Sequence, residues 1–200
     1  MSEEREEPEV RHGLVSPAVA EEHPGLWVAW TEVETTPGPT PRELRERLRR
    51  MADRVHGAEA IAMRQREVPH AYRVFFRHVG LDPDVVRTPI EAVILRRMTE
   101  GGLRPQGLIA DALTVALLET GVAVQAFDAA AVVCAPQIAE ADGRLVLADE
   151  VGTLAVLFGE PERAVASKDT RRVALVAVAV PGVADLFVEE ALWTAWDILR

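Results

Sequence analysis

The sequence predicts an α+β fold, a layered β-sheet structure with flanking helices, and three observations carry that expectation. Apolar residues recur at helical spacing through much of residues 40–121, whereas after Asp128 the chain runs mainly in short apolar stretches separated by turn signals. Of the 200 residues 48% are apolar, enough to bury a sizeable core in a single domain, expected over residues 13–200. Between the helical and β-rich parts lies Leu103 to Asp128, where an amphipathic helix, a glycine and an extended run follow one another with little slack.

In chain order, residues 1–12 are charge-rich with little to bury and are expected to be a disordered acidic tail. Leu26 to Val33, LWVAWTEV, is an expected strand bounded by Pro24-Gly25 and the Thr-Thr-Pro-Gly-Pro turn of residues 35–39. Trp27 and Trp30 fall on its opposite faces, one for the core and the other for the core or a groove wall. Thr40-Pro41-Arg42-Glu43 reads as a capping box with proline at the first helical position, and Leu44, Leu48, Met51 and Val55 form the buried stripe. Its other face carries Arg42, Arg45, Arg47, Arg49, Arg50 and Arg54. That face is either solvated and paired with Glu43, Glu46 and Asp53, or a phosphate-contact face with Arg45 and Arg49 as RNA-backbone candidates. Helices are next expected from about Ala58 to Arg66, from Pro69 to the stop at Gly80, and from a second capping box at Thr88-Pro89-Ile90-Glu91 to the Gly101-Gly102 turn.

In the central unit Leu108, Ile109, Ala112, Leu113, Ala116 and Leu117 share one helical stripe. Gly121 stops that helix, and Val122, Val124 and Ala126 begin the strand that closes at Phe127-Asp128. Further on, the apolar run Ala131 to Ala135 is expected to be a strand in the core, burying Cys134 as an inert thiol. Asp142-Gly143 marks a hairpin turn before Arg144 to Ala148, and a turn near Glu150 to Gly152 precedes Leu154 to Phe158. Arg172 to Val180 is β-branched along its length, the pattern of a strand buried on both faces. A helix from about Val183 closes the core.

A formal net charge of -10 argues against a protein that grips DNA or RNA over a broad surface, while leaving room for transient contact with a tRNA end. A single cysteine excludes a disulfide framework, and His56, His70 and His78 form no ligand pair, so no metal and no cofactor is implied. No apolar run approaches a membrane span and the first residues are acidic, so a cytoplasmic protein is expected. No serine sits in a nucleophile elbow and no glycines form a phosphate loop.

The central unit resembles the editing module of the phenylalanyl-tRNA synthetase β subunit, the paired B3/B4 domains of that chain, which also occur as free-standing proteins. The register runs without a gap through Arg104, Pro105, Asp111, Leu118, Glu119, Gly121, Ala126, Phe127 and Asp128. Upstream, YRVFFRHVG and Arg96-Arg97 match helix ends of the family, and LVLADEVGTLAVLFG matches its Ala-Asp-x-x-Gly turn between two strands. At polar positions the chain departs from the family: the asparagine pair falls on Gly107 and Leu108, a later Asn on Thr114, the Pro on Ala123 and the His on Gln125. The family's later Glu falls near Val165, with Glu160, Glu162 and Asp169 close by, and its strand-leading Thr falls on Thr170.

The resemblance implies hydrolysis of misacylated tRNA in trans, in a pocket that positions one water while a ribose hydroxyl assists. The implied pocket lies between Arg104 to Leu108, Thr114, Gln125 and the loop from Gly159 to Thr170. Gln125 and Thr114 stand at catalytic positions, and Arg104, Gln106, Gly107, Leu108, Phe127 and Thr170 are substrate-binding candidates. Gln125 can orient water but is not a useful proton acceptor near neutral pH. The alternative expectation is therefore a non-catalytic module that binds an amino-acid-like ligand or the aminoacyl end of tRNA. Asp111 and Asp128 are expected to brace the fold.

Overall fold

The computed structural model describes residues 7–55 and 57–200. Its strands are β1 (Arg11–His12), β2 (Leu14–Val15), β3 (Trp27–Glu34), β4 (Val124–Asp128), β5 (Gln137–Ala141), β6 (Arg144–Ala148), β7 (Thr153–Val156) and β8 (Arg172–Ala179). Its helices are α1 (Pro17–Glu22), α2 (Arg42–Arg54), α3 (Gly57–Met63), α4 (Glu67–His78), α5 (Pro89–Glu100), α6 (Leu108–Thr120) and α7 (Asp185–Leu199). The strands form two four-stranded sheets, ordered β1-β3-β8-β4 and β2-β5-β6-β7, so the chain is α+β with flanking helices.

β8 sits inside the first sheet, antiparallel to both β3 and β4, and Val173 to Val180 are all nearly inaccessible. The β-branched run thus does what its composition predicts. α6 and α7 pack on this sheet through Ala112, Ala116, Val188 and Leu192, and the Trp196 indole N–H donates to the Glu32 carbonyl at 3.1 Å. The turn from α6 into β4 depends on Gly121, whose φ is +80°. A Cβ there would stand 3.1 Å from Val68 Cγ1, so both conformation and space favour glycine. In the second sheet Asp142 and Gly143, with φ of 51° and 70°, join β5 to β6 as the Asp-Gly signal predicts.

Residues 1–6 of the expected tail lie outside the described residues, and its other end needs correction. Arg11 and His12 form β1 against Trp30 and Ala29, and the Arg11 guanidinium lies 4.1 Å from the centre of the buried Trp30 ring. Two residues later β2 pairs in parallel with β5, so one short segment edges both sheets. Gly13 joins the two strands where a Cβ would come within 2.2 Å of the Pro136 carbonyl oxygen and 2.7 Å of Val28 Cγ1. Two-residue strands are too short to show any period, which is why the sequence conceals them.

The two capping-box signatures have different fates. Thr88 and Glu91 form the reciprocal cap of α5. Thr40 caps nothing: α2 starts after Pro41 without a side-chain cap, and the Thr40 hydroxyl instead donates to Asp111 Oδ2 at 2.5 Å. α4 begins before Pro69, which occupies the third helical position, where its missing N–H leaves no helical hydrogen bond unmade. The buried Glu91 also accepts from Arg73 at 2.6 Å and Arg64 at 2.8 Å, clamping α4 to α5, while Asp84 pairs with Arg73 at 2.9 Å. His56 lies outside the described residues.

The expected core strand Ala131 to Ala135 is a loop, and Cys134 is exposed. Asp128 decides this by turning the chain, its carboxylate accepting from the Ala130 N–H at 3.0 Å. The Val133 N–H then goes to Asp149 at 2.8 Å instead of to a strand partner. Among the described residues no helix is long and apolar enough to cross a membrane.

Candidate functional site

A hollow of about 400 Å³ opens where the first turn of α6, the middle of β4, the turn after β3 and the 159–170 loop meet. Asp111 holds one side of it together. Almost wholly buried, it accepts the Gln106 N–H on Oδ1 at 3.0 Å and the Thr40 hydroxyl on Oδ2. The approach to α6 and the approach to α2 are thereby tied to one carboxylate, and Asp111 is the brace that the sequence suggests. Gln106 is held further by Arg96, which donates to its side-chain oxygen at 3.0 Å. Gly107 caps α6 without a side chain, so the amides of Leu108, Ile109 and Ala110 are unmatched donors in residues that line the hollow. The positive end of the helix dipole lies at the same place.

The facing wall is Gln125. Half-buried on β4 opposite Val176 of β8, it donates from Nε2 to the Gly159 carbonyl at 2.7 Å, which fixes the amide and leaves Oε1 as an acceptor. The 159–170 loop is itself tied down at several points. The Asp128 N–H reaches the Ala164 carbonyl at 2.7 Å, Phe127 bridges Val165, and the buried Thr170 hydroxyl accepts the Ser167 N–H at 2.9 Å. Arg163 pairs with the buried Asp149, whose carboxylate also accepts the Val133, Val151 and Gly152 N–H groups. Burial alone would raise the Asp149 pKa, but Arg163 and those amides outweigh it and hold the group down at about 2.

The structure brings Gln106, Gly107, Leu108, Gln125 and Thr170 together around the hollow. Three other residues assigned to the site lie elsewhere. Arg104 is exposed outside the hollow, and Phe127, on the same face of β4 as Gln125 but two residues further along, is fully buried in the core and does not line the hollow. The Thr114 hydroxyl is spent on the Ala110 carbonyl at 2.9 Å, and Thr114 lines a separate hollow of about 150 Å³ that also touches Gln125. Of the acids near the family's later Glu, only Glu160 lines the main hollow, alongside Val165 itself. Arg45 and Arg49 are exposed one turn apart on α2, whereas Arg42 and Arg47 are paired with Glu46 and Glu119.

Two lining residues were not singled out by sequence. Thr35 reads as part of a turn, and Lys168 as part of a loop. The second did carry a signal: it is the only lysine in a chain with 21 arginines. Compared with known proteins, the chain matches no family model and no curated protein.

Proposed function

We propose that the hollow receives the aminoacyl end of a misacylated tRNA and that the protein, working in the cytoplasm, hydrolyses the ester in trans. One observation carries the reading: Gln125 and the uncapped first turn of α6 line the same hollow, whose volume suits an aminoacyl group. In the reaction the ester carbonyl oxygen faces the free amides of Leu108 to Ala110, which stabilise the negative charge that develops as water adds. Gln125 Oε1 accepts a hydrogen bond from that water and aims its oxygen at the carbonyl carbon. The new C–O bond forms, the bond to the ribose oxygen breaks, and the proton lost by water reaches that oxygen through the neighbouring ribose hydroxyl. No side chain needs to ionise, because an ester is labile enough for positioning to provide most of the effect. The tRNA backbone follows the arginine face of α2 past Arg45 and Arg49, since α2 starts beside the hollow through Thr40 and Asp111.

A second reading, a non-catalytic module that holds the aminoacyl end or an amino-acid-like ligand, is supported by the chemistry of Gln125, which cannot take a proton near neutral pH. One assay separates the two. The protein is incubated with a panel of aminoacylated tRNAs and ester loss is followed beside Gln125→Ala. Loss of one aminoacyl species, slowed in the variant, supports the deacylase; saturable protection of the ester supports the binding module; neither effect removes both readings.

A further inference from the structure

A second hollow of about 400 Å³ lies apart from the proposed reaction. The ends of α1 and α4 form one side of it, and the β5–β6 turn and the end of β7 form the other, so that no described residue lines both hollows. Its walls are mainly apolar, built from Phe75, Phe76, Leu81, Leu145, Leu157 and Phe158. Phe158 contributes from a backbone with φ of 63°, a conformation that costs a bulky residue free energy and clusters at functional sites. One polar side chain belongs to the buried wall. His23, only 6% exposed, is held edge-on by Phe75 and His78, with ring centres 5.8 Å and 5.4 Å away. Its Nδ1 is sealed without a hydrogen-bond partner and is out of reach of any ligand. Nε2 is not sealed and makes no hydrogen bond among the described residues, so it is the atom that a ligand can meet. A buried imidazole bonded at neither nitrogen is uncommon in a folded protein.

The charged lining residues, Glu22, Glu140 and Arg144, are all exposed, so they stand at the rim in water and select little. Apolar walls disfavour an ion, because no buried charge among the described lining residues is there to pair with it. Aromatic walls favour a ring that packs offset or edge-on against Phe76 and Phe158. The single reachable nitrogen calls for one hydrogen-bonding group, and a hydroxyl, which both donates and accepts, serves either tautomer of His23. We infer that the second hollow is a binding site for an uncharged aromatic alcohol of the phenol or naphthol type. The ring lies among Phe75, Phe76 and Phe158, and the hydroxyl meets His23 Nε2.

Calorimetric titration of the protein with 2-naphthol, naphthalene and 2-naphthoate tests this. 2-Naphthol is expected to bind one to one, and at least about tenfold more tightly than naphthalene, which lacks the hydroxyl, or naphthoate, which brings a charge. Tenfold corresponds to about 1.4 kcal/mol. His23→Phe keeps a ring and removes the nitrogen, so it is expected to lower 2-naphthol to the affinity of naphthalene while leaving naphthalene unchanged. Leu81→Asp places a carboxylate in the wall and is expected to weaken 2-naphthol severalfold. Leu81 is exposed, so its variant keeps the test valid if His23→Phe unfolds. Gln125→Ala, in the first hollow, should leave the affinity for 2-naphthol as it is. No saturable binding, an affinity for naphthalene or naphthoate that matches 2-naphthol, binding undisturbed by either wall variant, or loss of binding in Gln125→Ala would each overturn the inference.

Discussion

Two hollows of about 400 Å³ mark this surface, and they differ in which end of a helix they meet. The first lies at the start of α6, where backbone donors are unmatched. The second lies at the ends of α1 and α4, lined by His23, Phe75, Phe76, His78 and Phe158. Its walls are mostly aromatic rings packed on one another: Phe158 meets Phe76 at 5.7 Å and, behind the wall, Tyr72 at 5.2 Å between ring centres, and His23, whose buried Nδ1 has no hydrogen-bond partner among the described residues, meets His78 at 5.4 Å. The dipole there has the opposite sign, so a developing negative charge would be repelled where the first hollow would welcome it. Equal volume therefore does not mean equal chemistry, and the free donors decide in favour of the first.

The largest expected effect loosens the second region and leaves the first alone. Glu91→Ala removes the carboxylate between Arg73 and Arg64 and half of the α5 cap, and should cost about 3–5 kcal/mol in urea unfolding. Deacylation by the fraction still folded should be unchanged, because the clamp seats α4, whose Phe75 and Phe76 line the aromatic hollow, and none of Glu91, Arg73 and Arg64 lines the first. Gln125→Ala should do the reverse, lowering kcat/KM for the susceptible tRNA by about 10- to 100-fold, or about 1.4–2.7 kcal/mol, with little change in melting temperature. Should His78→Ala lower activity as much, the contrast between the hollows fails.

Asp149 sharpens the comparison through pH, because with Arg163 it anchors the loop beside the first hollow. Its folded pKa lies near 2, below the ordinary 3.8, so its contribution is complete above about pH 4 and is lost as pH falls toward 2. The amount should be on the order of 1–2 kcal/mol, and Asp149→Asn should flatten the acid limb of stability measured by urea unfolding. The smallest effect concerns Thr35. Replacing an unmatched buried hydroxyl by a methyl group in Thr35→Val should change stability by less than about 0.5 kcal/mol or raise it slightly, as read from the urea midpoint.

What the sequence reveals and conceals follows from the range of each interaction. The helix that ends at Gly121, the Asp142-Gly143 turn and the buried strand at Arg172 depend on neighbours a few residues away, and all three are legible. Thr40 and Thr88 show the limit. Their local signatures are alike, yet the Thr40 hydroxyl finds a buried carboxylate 71 residues distant and gives up the cap. The alanine-rich run at Cys134 has the composition of a core strand, but the turn at Asp128 and the N–H acceptor at Asp149 remove it from the sheet. At the site, Gln125 and Gly107 are legible because they belong to the central unit. Thr35 becomes interesting only once the fold closes around its hydroxyl, a fact with no local trace.

The double pairing around Gly13 has consequences for how the molecule comes apart. Arg11 and His12 border one layer and Leu14 and Val15 the other, so a single peptide hinge latches both. Prising that hinge loose would bare two ribbon edges together, inviting neighbouring chains to dock strand on strand. Their partner at residues 137–138 is also synthesised long after them, so the latch closes late and the nascent chain spends its most adhesive interval waiting for it.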